Sequence, residues 1–207
     1  MKDNRTKELV MKNIREALID KNEVADCEAQ PAPGSTFVQD DHDDLSVLFA
    51  KNFTRAGGTL FYCYNEADIG KRILEIQHQH SDTPIACLSE NLTNFISHLG
   101  VSNCHTTSPT NQSNLGASLC EALLAWQGSI VVSSNLGLGI TQPSLSDTTI
   151  FLAFTSQVVS DWEIANQRIK QLYPAYPDQI FITNPAAYAY QKGLQKLYLI
   201  LIEDETN

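Results

Sequence analysis

Positive charge is scarce in this chain of 207 residues: 14 Lys and Arg stand against 24 Asp and Glu, a formal net charge of −10. Binding to nucleic acid rests on clustered cations that displace counterions from phosphates, so the balance argues against such a role. Anionic membrane surfaces are disfavoured for the same reason. Long apolar runs are lacking too; none approaches the roughly 20 residues that span a bilayer. The opening Met1-Lys-Asp-Asn-Arg-Thr-Lys-Glu8 is charged and no apolar stretch follows it, so no secretory signal is expected.

Cysteine motifs are missing as well. Cys27, Cys63, Cys87, Cys104 and Cys120 lie far apart and form no C-x-x-C, which removes zinc-ribbon, ferredoxin-like and thioredoxin-like spacings. Unpatterned thiols fit a reducing cytoplasm, the expected location. There is no P-loop, no G-x-S-x-G elbow and no H-E-x-x-H. His78 and His80 are two apart and fall on different sides of a helix, so they share no metal. The acidic run Asp40-Asp-His-Asp-Asp44 lacks the alternating ligands and glycine of an EF-hand loop. Gly137-Leu-Gly139 has no third glycine: Gln142 stands there, followed by Pro143, and no helix starts to offer its amides to a phosphate. No metal and no bound cofactor is expected on this chain.

Apolar residues make up 43% of the chain, enough for a substantial core. Helical spacing of Val10, Ile14, Ala17 and Leu18 predicts a helix over 3–20. Pro31-Ala-Pro33-Gly34 and the acidic run make 21–43 a linker, so 1–43 is an N-terminal helical arm and 44–207 the α/β domain. Helices are predicted at 44–55, ended by Gly57-Gly58 as a left-handed cap would, and at 66–80, 91–99 and 160–173. Strands are predicted at 59–64, 84–88, 129–134, 148–154, 179–183 and 196–202. Val101–Asn114 reads as a short strand and loop, Ser118–Trp126 as a short apolar helix, and the link after Thr183 as one or two helical turns. Alternation of strand and helix predicts a largely parallel sheet flanked by helices on both faces. Ligands of such sheets bind beyond the carboxyl ends of strands, which singles out 133–139, 155–157 and 183–185.

Chemistry concentrates in Glu121-Ala-Leu-Leu-Ala-Trp-Gln-Gly-Ser-Ile-Val-Val-Ser-Ser134. A carboxylate leads an apolar segment, a Gly-Ser turn follows, then a strand ending in two hydroxyls. Gly128 allows close backbone approach, and Ser129, Ser133 and Ser134 can orient a small carboxylate or phosphate. The plain alternative is a cap and a polar strand terminus.

The same segment, extended back to Gly116, resembles the central motif of LUD-domain proteins of the lactate-utilisation protein C type. Phe49-Ala-Lys-Asn-Phe-Thr-Arg-Ala-Gly-Gly58 is similar to that family's helix ending in Gly-Gly ahead of the first strand. Phe151-Leu-Ala-Phe-Thr-Ser-Gln-Val-Val159 is similar to its strand and Ser-Gln-Leu-Val turn, and Leu197-Tyr-Leu-Ile-Leu-Ile-Glu-Asp204 to its last strand. The motifs keep their order over nearly the whole chain. The resemblance implies a fold similar to glucosamine-6-phosphate isomerase, ribose-5-phosphate isomerase and CoA transferases. It implies an accessory role in oxidising lactate to pyruvate beside iron–sulfur partner proteins, which would carry the clusters. Glu121 would be the catalytic residue, a base or nucleophile by analogy with CoA transferases, with Thr183 and Asn184 joining the ligand-binding set.

Departures from the family cluster in one place. Its T-G-P-S-R-T-A-D-I-E stretch keeps Thr183 and Pro185 here, but Asn184, Ala186, Ala187 and Tyr190 replace Gly, Ser, Arg and Asp. The family's H-G-P turn is absent, and Leu138-Gly139-Ile140 stands where an Arg usually follows the Ser-Ser strand. Arg is the natural fork for a carboxylate or phosphate, so charged chemistry has been lost. Three readings remain: an accessory subunit of a lactate-oxidising assembly, a small-ligand enzyme or sensor of the phosphosugar-isomerase class, and a paralogue that keeps the scaffold and works through protein contacts. A homo-oligomer stays open.

Overall fold

The computed structural model describes residues 45–107, 114–136, 146–192 and 196–204. The expected helix at 3–20, the arm to residue 43 and Gly137-Leu-Gly139 lie outside the described residues.

Helix α1 spans Leu45–Arg55. Phe49 and Phe53, one turn apart, stack with ring centroids 5.4 Å apart and are fully buried. The helix stops where the sequence predicts. Gly57 takes φ +99°, its amide donates to the Thr54 carbonyl, and the Gly58 amide donates to that of Phe53. This is the double reversal of a Schellman cap, which only a residue without a side chain takes at little cost. Strand β1 (Thr59–Cys63), helix α2 (Glu66–Gln79), β2 (Ile85–Cys87), α3 (Glu90–His98), β3 (Cys104–Thr106) and β4 (Leu115–Leu119) follow. Asn65 and Ser89 cap α2 and α3 by accepting from the Asp68 and Leu92 amides.

Six strands form a parallel sheet in the order β1-β10-β7-β4-β2-β3, where β7 is Thr148–Phe154 and β10 is Leu197–Ile202. The predicted parallel α/β sheet is therefore present. Both faces are covered, and the strand alternation says by what. Ile150, Leu152, Tyr198, Ile200 and Ile202 pack with the inward isoleucines of α2 and with Leu92 and Ile96 of α3. Phe151, Ala153, Leu197, Leu199 and Leu201 face the other way, onto α1. Cys63 and Cys87 are buried in the first of these layers, as small hydrophobes would be. Burial pushes both thiols up to about 11.

The sequence reading did not anticipate a second sheet. Strands β5 (Ala122–Leu124), β6 (Ser129–Ser133), β8 (Val158–Val159) and β9 (Ile180–Thr183) form it in the order β8-β5-β6-β9. The expected helix over 118–126 is therefore corrected: Leu115–Leu119 and Ala122–Leu124 are strands, and 125–128 is a turn. Apolar residues at every position look alike in a buried strand and a buried helix, so periodicity alone misleads there. One face of the small sheet (Leu123, Ile130, Val132, Val158) shares the α1 core. The other (Ala122, Leu124, Val131, Val159) packs on Ala165 and Ile169 of α4, which spans Trp162–Leu172. Helix α5, Pro185–Lys192, completes the α1 layer through the fully buried Tyr188.

Candidate functional site

Glu121 stands between β4 and β5, just past the carboxyl end of a parallel strand, where open α/β sheets bind ligands. Its amide donates to the Val131 carbonyl at 2.8 Å, which locks the backbone onto β6. The residue as a whole is half-buried. Oε1 accepts from the Ser133 hydroxyl in a short hydrogen bond and from the Tyr173 hydroxyl at 2.9 Å. Ser133 also accepts from the Asn135 amide at 3.2 Å. Three elements thus meet on one carboxylate oxygen: the end of β6, the start of β5 and the end of α4. Burial, then the hydrogen bond to Glu121 and its charge, push the Tyr173 phenol up to about 12, so it is a neutral donor. The neighbouring Cys120 thiol is fully buried and is raised by that burial and by the Glu121 charge.

The other expected site residues divide between the two ends of the small sheet. The register pairs Ser133 with Ile180 and Ile130 with Thr183, so Ser133 and Thr183 lie at opposite ends. Ser134 stands beside Ser133, its amide donating to the Gln179 carbonyl at 3.0 Å and its Oγ accepting from the Gln179 amide at 3.3 Å. At the far end sit Gly128, Ser129, Thr183 and Asn184. Gly128 takes φ +58°, and a Cβ there would lie 2.5 Å from the Phe53 nitrogen. Its turn is pressed onto the α1 backbone, and Asn52 Nδ2 holds it by donating to the Ala125 and Trp126 carbonyls at 2.9 and 3.1 Å. Ser129 and Thr183 are buried. Asn184 caps α5, accepting from the Ala187 amide at 2.9 Å, ahead of a proline at the first helical position. The segment that departs from the LUD pattern is thus a capped helix anchored by Tyr188, whose hydroxyl meets Thr149 Oγ1 at 3.0 Å and donates to the Ser146 carbonyl.

The turn Thr155–Gln157 lies beyond the end of β7, as predicted. Asp204, past the end of β10, accepts from Thr155 Oγ1 and the Ser156 amide at 2.6 Å each, and from Ser156 Oγ at 2.9 Å. Burial works to raise the Asp204 carboxyl, but these donors outweigh it and hold it below the ordinary 3.8. Gln157 Nε2 donates to the Cys120 carbonyl at 2.6 Å and so braces the backbone next to Glu121. Arg168 of α4 donates to the Ser156 carbonyl at 2.7 Å. Tyr173 and Asp204 are the residues that sequence reasoning missed. Tyr173 lies 52 positions from Glu121, and no local pattern announces the pairing. Among the described residues no group of three or more His, Cys, Asp or Glu side chains could hold a metal ion.

These elements define an open α/β protein with a six-stranded parallel sheet and a second sheet on one face. The crystal structure of a DUF162 family protein from Deinococcus radiodurans has a similar fold, with a TM-score of 0.61 and 12% sequence identity, over 76% of this chain and 96% of that one. At that identity the likeness shows the fold. Comparison with protein-family models gives no match. Comparison with curated proteins gives none either. No helix among the described residues is long and apolar enough to cross a membrane.

Proposed function

We propose that this chain is a LUD-type accessory component of a cytoplasmic iron–sulfur system that oxidises lactate to pyruvate, acting through protein contacts rather than by turnover of its own. The fold likeness carries the reading, because it runs along nearly all of a DUF162 protein, and the DUF162/LUD-domain class is related to lactate-utilisation protein C. The LUD-type motifs fall on α1, on β5–β6 and on β7 with its turn. The scattered site supports that mode of action: Ser133 and Ser134 are spent on internal hydrogen bonds, Gly128 on packing and Asn184 on a cap. The clusters would sit on the partners. A tagged full-length chain, purified from lactate-grown cells, should bring down cysteine-rich iron–sulfur proteins. Lactate-dependent dye reduction by that assembly should need the chain yet tolerate Glu121→Gln. Loss of the gene with no change in lactate oxidation, and no iron–sulfur protein retained, would overturn the reading.

One observation favours a second reading, a small-ligand enzyme or sensor. Glu121 stands at the carboxyl end of β4 with Oε2 taking no hydrogen bond from any described residue. Saturable binding of lactate, a CoA ester or a sugar phosphate by the isolated chain would support it, and failure of all three would remove it.

A further inference from the structure

We propose that β9 is a docking edge for the β9 of a second copy of this chain, the two strands pairing antiparallel about a two-fold axis at Phe181. The inference goes beyond the accessory reading and stands whether or not a lactate-oxidising partner is found. Strand β9 closes one side of the small sheet. The Ser134 amide donates to the Gln179 carbonyl, and next along the ladder Val132 pairs with Phe181 and Ile130 with Thr183. Bonded and non-bonded pairs alternate in an antiparallel ladder. Phe181 and Thr183 therefore bond inward to β6, while the amides and carbonyls of Ile180 and Ile182 point outward. Among the described residues none bonds them. Helix α4 leaves this edge clear: Ile182 is 41% exposed, whereas Val131 and Ala122, its cross-strand neighbours on the same face, are buried. Soluble proteins guard such edges with lysine, proline or shortness. Strand β8 has two residues and β3 has three, and Arg72 lies over the Phe61 ring of β1. Ile180-Phe-Ile-Thr183 holds no charge and no proline.

Charge selects the occupant. Copies of net charge −10 repel except through a face that carries almost none. Tyr173–Tyr190 is such a stretch: Asp178 is its one charged residue, while 18% of the whole chain is charged. Five of its residues are aromatic, and Tyr176 and Tyr190 are exposed, a composition that interface cores favour. The outward groups are also self-complementary. About an axis at Phe181, Ile180 faces the partner's Ile182, and each such pair exchanges two hydrogen bonds. The exposed Ile182 side chain is then covered by the partner's Ile180. Pairing uses up the edge in both copies, so the assembly closes as a dimer and joins two four-stranded sheets into one. The row from Ser134 to Gln179 continues into the partner's Thr183. Serine and threonine that one copy holds at opposite ends of its sheet thus come to the same end.

The test is sedimentation of the full-length protein from about 1 μM to about 1 mM, the span of moderate to weak association. The mass should climb to twice the 22.9 kDa of one chain and stop there. Ile182→Lys and Ile182→Pro leave the bonds to β6 intact, because the amide of residue 182 points away from it. Each should raise the dissociation constant about tenfold or more, the effect of losing a central interface contact. Amide exchange serves if a variant does not fold. The Ile180 and Ile182 amides should exchange slowly in concentrated protein and fast on dilution, while those of Phe181 and Thr183 stay protected in both. A monomer at every concentration, growth beyond the dimer, unchanged association in both variants, or Ile180 and Ile182 exchange that ignores dilution would overturn the proposal.

Discussion

Gly128 shows how a residue chosen for close approach serves the protein itself. Its missing side chain admits the α1 backbone, not a ligand phosphate. Gly128→Ala should therefore cost about 2–4 kcal/mol, from a left-handed φ and a backbone clash that no rotamer relieves. The midpoint of urea unfolding checks it; an unchanged midpoint would mean that the turn moves freely from α1. Tyr173 offers a second check at this scale. Its folded form keeps its proton to about 12, whereas an unfolded tyrosine loses it near 10. The Tyr173 contribution to stability is therefore complete below pH 10 and drains away as pH rises through the folded value. Glu121→Gln removes both Glu121 contributions, so the phenol should titrate at lower pH while burial still keeps it above its ordinary value. Absorbance at 295 nm during alkaline titration reads this directly; an unmoved transition would show that Tyr173 and Glu121 do not meet in solution.

Ends of elements, rather than their middles, do the joining. Asp204 ties the end of β10 to the turn after β7 through three donors. Its carboxyl is held low, so the stabilisation is present above the ordinary 3.8 and is lost as pH falls through the folded value. Asp204→Asn should flatten the acid limb of the stability profile below about pH 4, read as urea midpoints across pH. At α5, Asn184→Ala should cost about 1 kcal/mol, the usual worth of a cap. The same ends explain what the sequence made legible. Helix α1 with its Gly-Gly stop, α2, α4 and the parallel strands other than β4 carry local signals in periodicity and caps. Residues 118–126 carry none that separates strand from helix, because both faces of β4 and β5 are buried. Glu121 was readable as a chemical residue. Its partner Tyr173 was not, since the pairing exists only once β5 and β6 lie against α4. Thr183 and Ser133 read as companions in a list of polar strand ends, and an antiparallel register sets them apart.

At the scale of the whole molecule the surplus of acids governs behaviour in solution. A net charge of −10 and an isoelectric point near 4.8 predict high solubility at neutral pH and self-association as the charge vanishes. Light scattering should rise near pH 4.8 and fall again when the pH is moved away and net charge returns; a flat response would mean that the charge is not what keeps copies apart.

The strands of the small sheet are not consecutive in the chain. Strands β5 and β6 lie between β4 and β7, while β8 and β9 lie between β7 and β10, so the backbone passes from one sheet to the other four times. The two sheets are stitched, not appended. Neither can be cut away as a module, and neither can finish until the chain has returned from the other. The molecule should therefore melt as one cooperative unit. Any lineage that inherits the parallel sheet with this chain order must inherit the Glu121 clasp region along with it.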